Sequence, residues 1–146
     1  MTSTTSATPA SSPTSRGQPV AGPSLSVDLP FASALLRNEP AYGREGHTAR
    51  TLAKYRDLRV VLVAMKAGAR MTVHETAERL TLQVLVGRLR LWLRAGGSEE
   101  AGEGAFVAVD TERAEAIECL DECAFTLTVA WPPDHSADAD DGPVEM

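Results

Sequence analysis

Between Gly87 and Arg94 the chain reads GRLRLWLR, a strict alternation of large apolar and polar side chains. On a helix such residues would scatter around the axis, whereas a strand, with its period of two, puts them on opposite faces. Leu89, Leu91 and Leu93 then share one face, and Arg88, Arg90, Trp92 and Arg94 share the other. The leucine face must meet a core, so this strand needs a second layer to pack against. The arginine face has two readings, a solvated surface that discourages edge pairing or a surface for a homodimer or an anion.

The flanking sequence supplies further strands. HTARTLAKY, the turn RD and LRVVLVAMKAG read as a first hairpin bounded by Gly68. ARMTVHE and RLTLQVLV are two more candidates, with a turn expected at Gly87. AGGSEEAGEG reads as a glycine-rich turn region. AFVAVD, EAIEC and CAFTLTVAW follow as short strands separated by TERA and LDE, and Pro132 and Pro133 end the last one. Before them, FASALLR (31–37) suits one short helical turn that Pro40 stops. About eight strands with essentially no helix predict an all-β sandwich or barrel.

The two ends differ in character. Residues 1–28 are rich in Ser, Thr, Pro and Ala, which bury too little to offset ordering, and are expected to form a disordered leader. Residues 29–44 are expected to be an extension packed on the barrel, 45–131 the barrel and 132–146 an acidic disordered tail. Five of the 20 acidic residues lie in that tail, so the net charge of -6 resides almost wholly there. A nearly neutral body argues against nucleic-acid binding. No segment has the length of a membrane span or the pattern of a secretory signal, and a cytoplasmic location is expected. Cys119 and Cys123 are too few for a disulfide framework, and their spacing matches no common zinc motif. Reduced thiols are expected, although a hairpin turn at LDE would set the two sulfurs opposite each other.

Two spaced patterns stand out within the barrel segment. Gly68, His74, Thr76, Leu80 and Gly87 fit, without a gap, the spacing G-x5-H-x-H-x3-E-x6-G. Gly104, Asp110, Glu112, Glu115 and Cys119 fit the spacing G-x5-P-x-G-x2-H-x3-N. These are the two motifs of the cupin family, and over roughly residues 45–131 the chain resembles a small cupin. The resemblance implies a double-stranded β-helix, the cupin-type jelly-roll barrel. In cupins that hold a metal, three histidines and a glutamate converge on it from inside the barrel. Here His74 alone keeps its ligand type, with Thr76, Leu80 and Glu115 at the other three positions.

A catalytic zinc or iron site needs about three protein donors aimed at one point, and a lone histidine supplies one. An apolar Leu80 directed into such a site offers no lone pair, so no metal cofactor is expected. Glu115, if it points inward, needs a partner to offset its desolvation. His74 is the natural one, and together they would form an acid/base couple or a polar anchor for a ligand. The alternative has Glu115 in solvent at the barrel mouth. A noncanonical metal site built from His74, Glu115 and Cys119, with help from Glu75 or Glu78, is the competing arrangement, and it would take Zn, Fe, Mn or Ni.

The sequence therefore points to a metal-free, cupin-like protein that binds a small ligand or acts as an accessory or regulatory protein. Its expected pocket is lined by His74, Thr76, Leu80, Leu82, Glu115 and Ile117. The alternative is a metal-dependent cupin enzyme, dioxygenase- or isomerase-like, centred on His74 and Glu115. A homodimer through the Arg and Trp stripe is a further expectation, and Trp131 is read as a core plug.

Overall fold

The computed structural model describes residues 20–73, 79–132 and the backbone of 144–145. Two short helices come first, α1 (Leu29–Arg37) and α2 (Pro40–Glu45). The Asp28 side chain caps α1 by accepting from the Phe31 N–H at 3.0 Å. Pro40 does end the first helix, yet it also opens the second, because a first-turn proline gives up no helical hydrogen bond. The expectation of a single helical turn is corrected on this point. Ala32, Leu36 and Tyr42 bury themselves on Leu62 and Ala64 of the sheet behind, with Val27, Leu52 and Leu85 at the margin.

The remainder is β structure: β1 (His47–Lys54), β2 (Leu58–Met65), β3 (Arg70–Val73), β4 (Arg79–Leu93), β5 (Ser98–Gly102), β6 (Phe106–Asp110), β7 (Ala114–Ala130) and β8 (Val144–Glu145). All pairings are antiparallel. β4 and β7 run side by side through the whole molecule and bend together, so each contributes to two layers. One layer reads β1, β2, the second half of β7, the first half of β4, then β6. The other reads β8, β3, the first half of β7, the second half of β4, then β5. The interior between them is apolar, from Val63 and Met65 through Leu82, Leu91 and Phe125 to Leu127.

Three sequence expectations change here. Gly87 makes no hairpin turn and lies inside β4 with φ +81°, at the bend. LDE likewise makes no turn, because β7 continues through it. The register of β4 on β7 slips on both sides of Arg88, and these bulges exchange which parity faces inward. Leu80, Leu82 and Val84 point inward before the bend, Leu89 and Leu91 after it. Thirdly, the glycine-rich segment contains β5 as well as turns.

At the ends, the expected leader is in part attached to the body. The Val20 carbonyl accepts from Lys54 N–H at 2.6 Å, and the Gly22 carbonyl from the Tyr55 hydroxyl at 2.8 Å. Residues 1–19 and most of the expected tail lie outside the described residues. Val144–Glu145 of that tail pair with β3. Among the described residues no helix is long and apolar enough to cross a membrane.

Candidate functional site

His74 and Thr76, with Glu75 and Glu78, lie outside the described residues. Leu80 and Leu82 of β4 and Ile117 of β7 do come together inside the barrel, each at 0% exposure. Glu115 does not join them, and the expectation that it lines the interior is corrected. It is exposed on a bulge, because Leu93 pairs with Ala114 and Trp92 with Ala116, leaving Glu115 as the extra residue. The inward position there is Ala114.

Cys119 keeps the interior parity, and its Sγ lies 3.0 Å from the Asp121 carbonyl and 3.4 Å from that of Met65. Both cysteines are free and buried. The sulfur-to-sulfur hydrogen bond lowers the pKa of the Cys119 thiol; the same bond, with burial, raises that of Cys123. Among the described residues no group of three His, Cys, Asp or Glu side chains could hold a metal ion. At the two ligand positions of the motifs that are described, Leu80 and Glu115, the chain does not fit a four-ligand metal set.

The Arg and Trp stripe is matched within its own sheet. Arg88 binds Asp121 at 3.1 Å and Glu100 at 2.9 Å, and Arg90 also binds Glu100. Arg90 and Arg88 together hold the Glu100 carboxyl below the usual carboxylate range. Trp92 donates from Nε1 to Glu118 at 2.9 Å, and the Arg70 and Arg90 guanidinium groups lie 5.6 and 5.4 Å from its ring centre. This is a charge ladder across neighbouring strands.

Two polar features escaped the sequence reading. A cleft of about 410 Å³ lies between the two ends of β4, with Arg79, Leu93, Glu99, Val109, Asp110 and Arg113 around it, and Arg79 pairs with its cross-strand neighbour Asp110. The second is Arg59. Across one layer, Arg59 of β2 pairs with Val129 of β7, Val129 with Leu80 of β4, and Leu80 with Val109 of β6, so these four form one inward-facing row. Arg59 is 7% exposed and packs its guanidinium 5.3 Å from the Trp131 ring centre. The signal was present in LRVVLVAM, where Arg59 shares the parity of Val61, Val63 and Met65.

No family model matches the sequence, and no curated protein matches it. Solved structures do. An RmlC-like cupin protein from Desulfovibrio desulfuricans superposes with a TM-score of 0.55 at 16% identity, covering 64% of this chain and 90% of its own. The fold is that of the cupins. Other structures with this cupin architecture have different roles. An HTH_3 family transcriptional regulator from Vibrio cholerae matches with a TM-score of 0.55 at 18% identity, over 68% of this chain and 59% of its own. Ectoine synthase from P. lautus matches with a TM-score of 0.52 at 12% identity, over 60% of this chain and 65% of its own. Likeness at these identities fixes the cupin architecture and selects no activity.

Proposed function

We propose that this cupin works without the metal of the metal-holding cupins, as an accessory or regulatory protein that binds a small molecule. The observation that carries this reading is Leu80, sealed at 0% exposure where the motif calls for a glutamate ligand. An apolar side chain there supplies no lone pair and excludes the water that could substitute for one. Glu115, where the motif has its last histidine, faces outward, so of the four ligand positions His74 alone keeps its ligand type. With chemistry at a metal disfavoured, the barrel serves as a rigid shell for a small molecule.

Elemental analysis by inductively coupled plasma mass spectrometry on untagged full-length protein tests this. Zinc, iron, manganese and nickel are expected far below one equivalent per chain. A near-stoichiometric metal that is lost in His74→Ala would overturn the proposal and favour the enzyme reading around His74 and Glu115.

A further inference from the structure

Within the main core, one corner of β2 and the end of β7 holds a charged side chain. Phe125, Leu127, Val129, Leu80 and Leu82 are fully buried, whereas Val61 at 8%, Arg59 at 7% and Trp131 at 6% retain contact with solvent. These three are neighbours on β2 and at the end of β7. This corner lies at the edge of the core, and its polar member is a cation.

Among the described residues Arg59 lacks the partner that a buried charge needs. Among the described residues no carboxylate pairs with it, Asp57 in the adjoining turn included, and its Nε is buried with no hydrogen-bond partner. The residue directly opposite on β1 is Lys54, a second cation, which raises the local positive potential. Stacking on Trp131 satisfies one face of the guanidinium but none of its five N–H donors. An unpaired guanidinium in an apolar setting is costly and is normally retained where a counter-charge arrives.

We infer that the Arg59 corner is the ligand site of this protein and that it takes a small carboxylic acid with an apolar body. The planar guanidinium matches a carboxylate through two parallel hydrogen bonds, and Val61 and Trp131 offer an apolar surface for the rest of the molecule. The same charge repels a divalent cation from the row that Leu80 occupies, so one residue accounts for both the ligand preferred and the metal disfavoured. The inference rests on the metal-free reading and adds the chemical class of the ligand.

The test uses benzoate as probe, with benzamide as its neutral counterpart and inorganic phosphate as an anion without an apolar body, read by thermal shift and titration calorimetry on the full chain. Benzoate is expected to raise the melting temperature with dose, benzamide not at all and phosphate much less. Arg59→Met is expected to weaken benzoate binding at least tenfold while melting no lower than the wild type, since it removes an unpaired buried charge and keeps an unbranched apolar stem. Unchanged benzoate binding in Arg59→Met, a lower melting temperature for that variant, or no response to benzoate, phenylacetate and hexanoate alike would overturn the inference. Chelator treatment separates the two claims. Binding that a chelator abolishes and Arg59→Met spares would mean a metal-held ligand and would sink the metal-free reading as well. Carboxylate binding that tightens when Asp134, Asp138, Asp140 and Asp141 are changed to Asn would assign the corner to the chain's own carboxylates instead of a free ligand.

Discussion

Gly87→Ala probes the joint on which the whole barrel turns. Gly87 has φ +81°, where an L side chain costs about 1–2 kcal/mol. A Cβ built there would lie 2.1 Å from the Glu122 carbonyl oxygen and 2.7 Å from the Cys123 Cα. Ordinary contact is about 3.5–4.0 Å. The obstructing atoms are backbone, so relief requires β4 and β7 to part by roughly an ångström or more where both strands bend. Overpacking of this severity adds about 1–3 kcal/mol. The expected total of about 2–5 kcal/mol is a large share of the roughly 5–15 kcal/mol typical of a domain and corresponds to a fall in Tm of at least about 8 °C. Gly68→Ala is the matched control, because Gly68 has φ +91° but no atom within 4 Å of the place its Cβ would take. It should lose only the conformational part. Urea unfolding of both variants isolates the contact term, and equal losses in the two would refute the idea that close approach, more than dihedral angle, requires glycine at the bend.

Other outcomes follow from the same packing. Leu80→Ala should cost about 2–5 kcal/mol in urea denaturation, as expected for a core leucine with no room to collapse; a loss under about 1 kcal/mol would mean the barrel is open at that row. Tyr42 donates its hydroxyl to Glu122, joining α2 to the bulge of β7, and burial, then that hydrogen bond and the charge of Glu122, raise its pKa well above the usual phenol value. A raised folded pKa gives stability that is complete below the unfolded value, about 10, and declines as pH rises beyond it. Tyr42→Phe should therefore lower stability by about 1 kcal/mol at pH 8 and flatten the decline between about pH 9 and 11. Parallel pH curves for the two proteins would show that the bond does not form.

Much of the architecture was legible in sequence because strand patterning is local. The alternation in GRLRLWLR and the valine-rich LRVVLVAM specify strands wherever they pack, and the glycine and ligand spacings of the two motifs point to a cupin barrel. Gly87 and LDE look like turns in the sequence for a physical reason. A glycine at positive φ serves a hairpin and a bulge equally, and only the partner strand lying 2.1 Å from its missing Cβ distinguishes them. Leu80 was readable as an interior residue, since its parity holds up to the bend.

Glu115 was not readable in the same way. One extra residue between Ala114 and Ala116 turns its side chain from the interior to solvent, and strand pairing, not composition, decides where such a residue falls. Arg59 shows the converse. Its parity placed it inside, but whether a buried cation has a partner depends on which carboxylates tertiary folding brings near, and among the described residues none pairs with it. The sequence by itself determined the β class, the cupin spacing and the loss of ligand types at Thr76 and Leu80, because these are properties of residue identity and period. Only the tertiary structure decided that β4 and β7 run unbroken through both layers, that Glu115 faces outward and that Arg59 is buried with no carboxylate partner among the described residues, because register slips and charge neighbours exist only between strands distant in the chain.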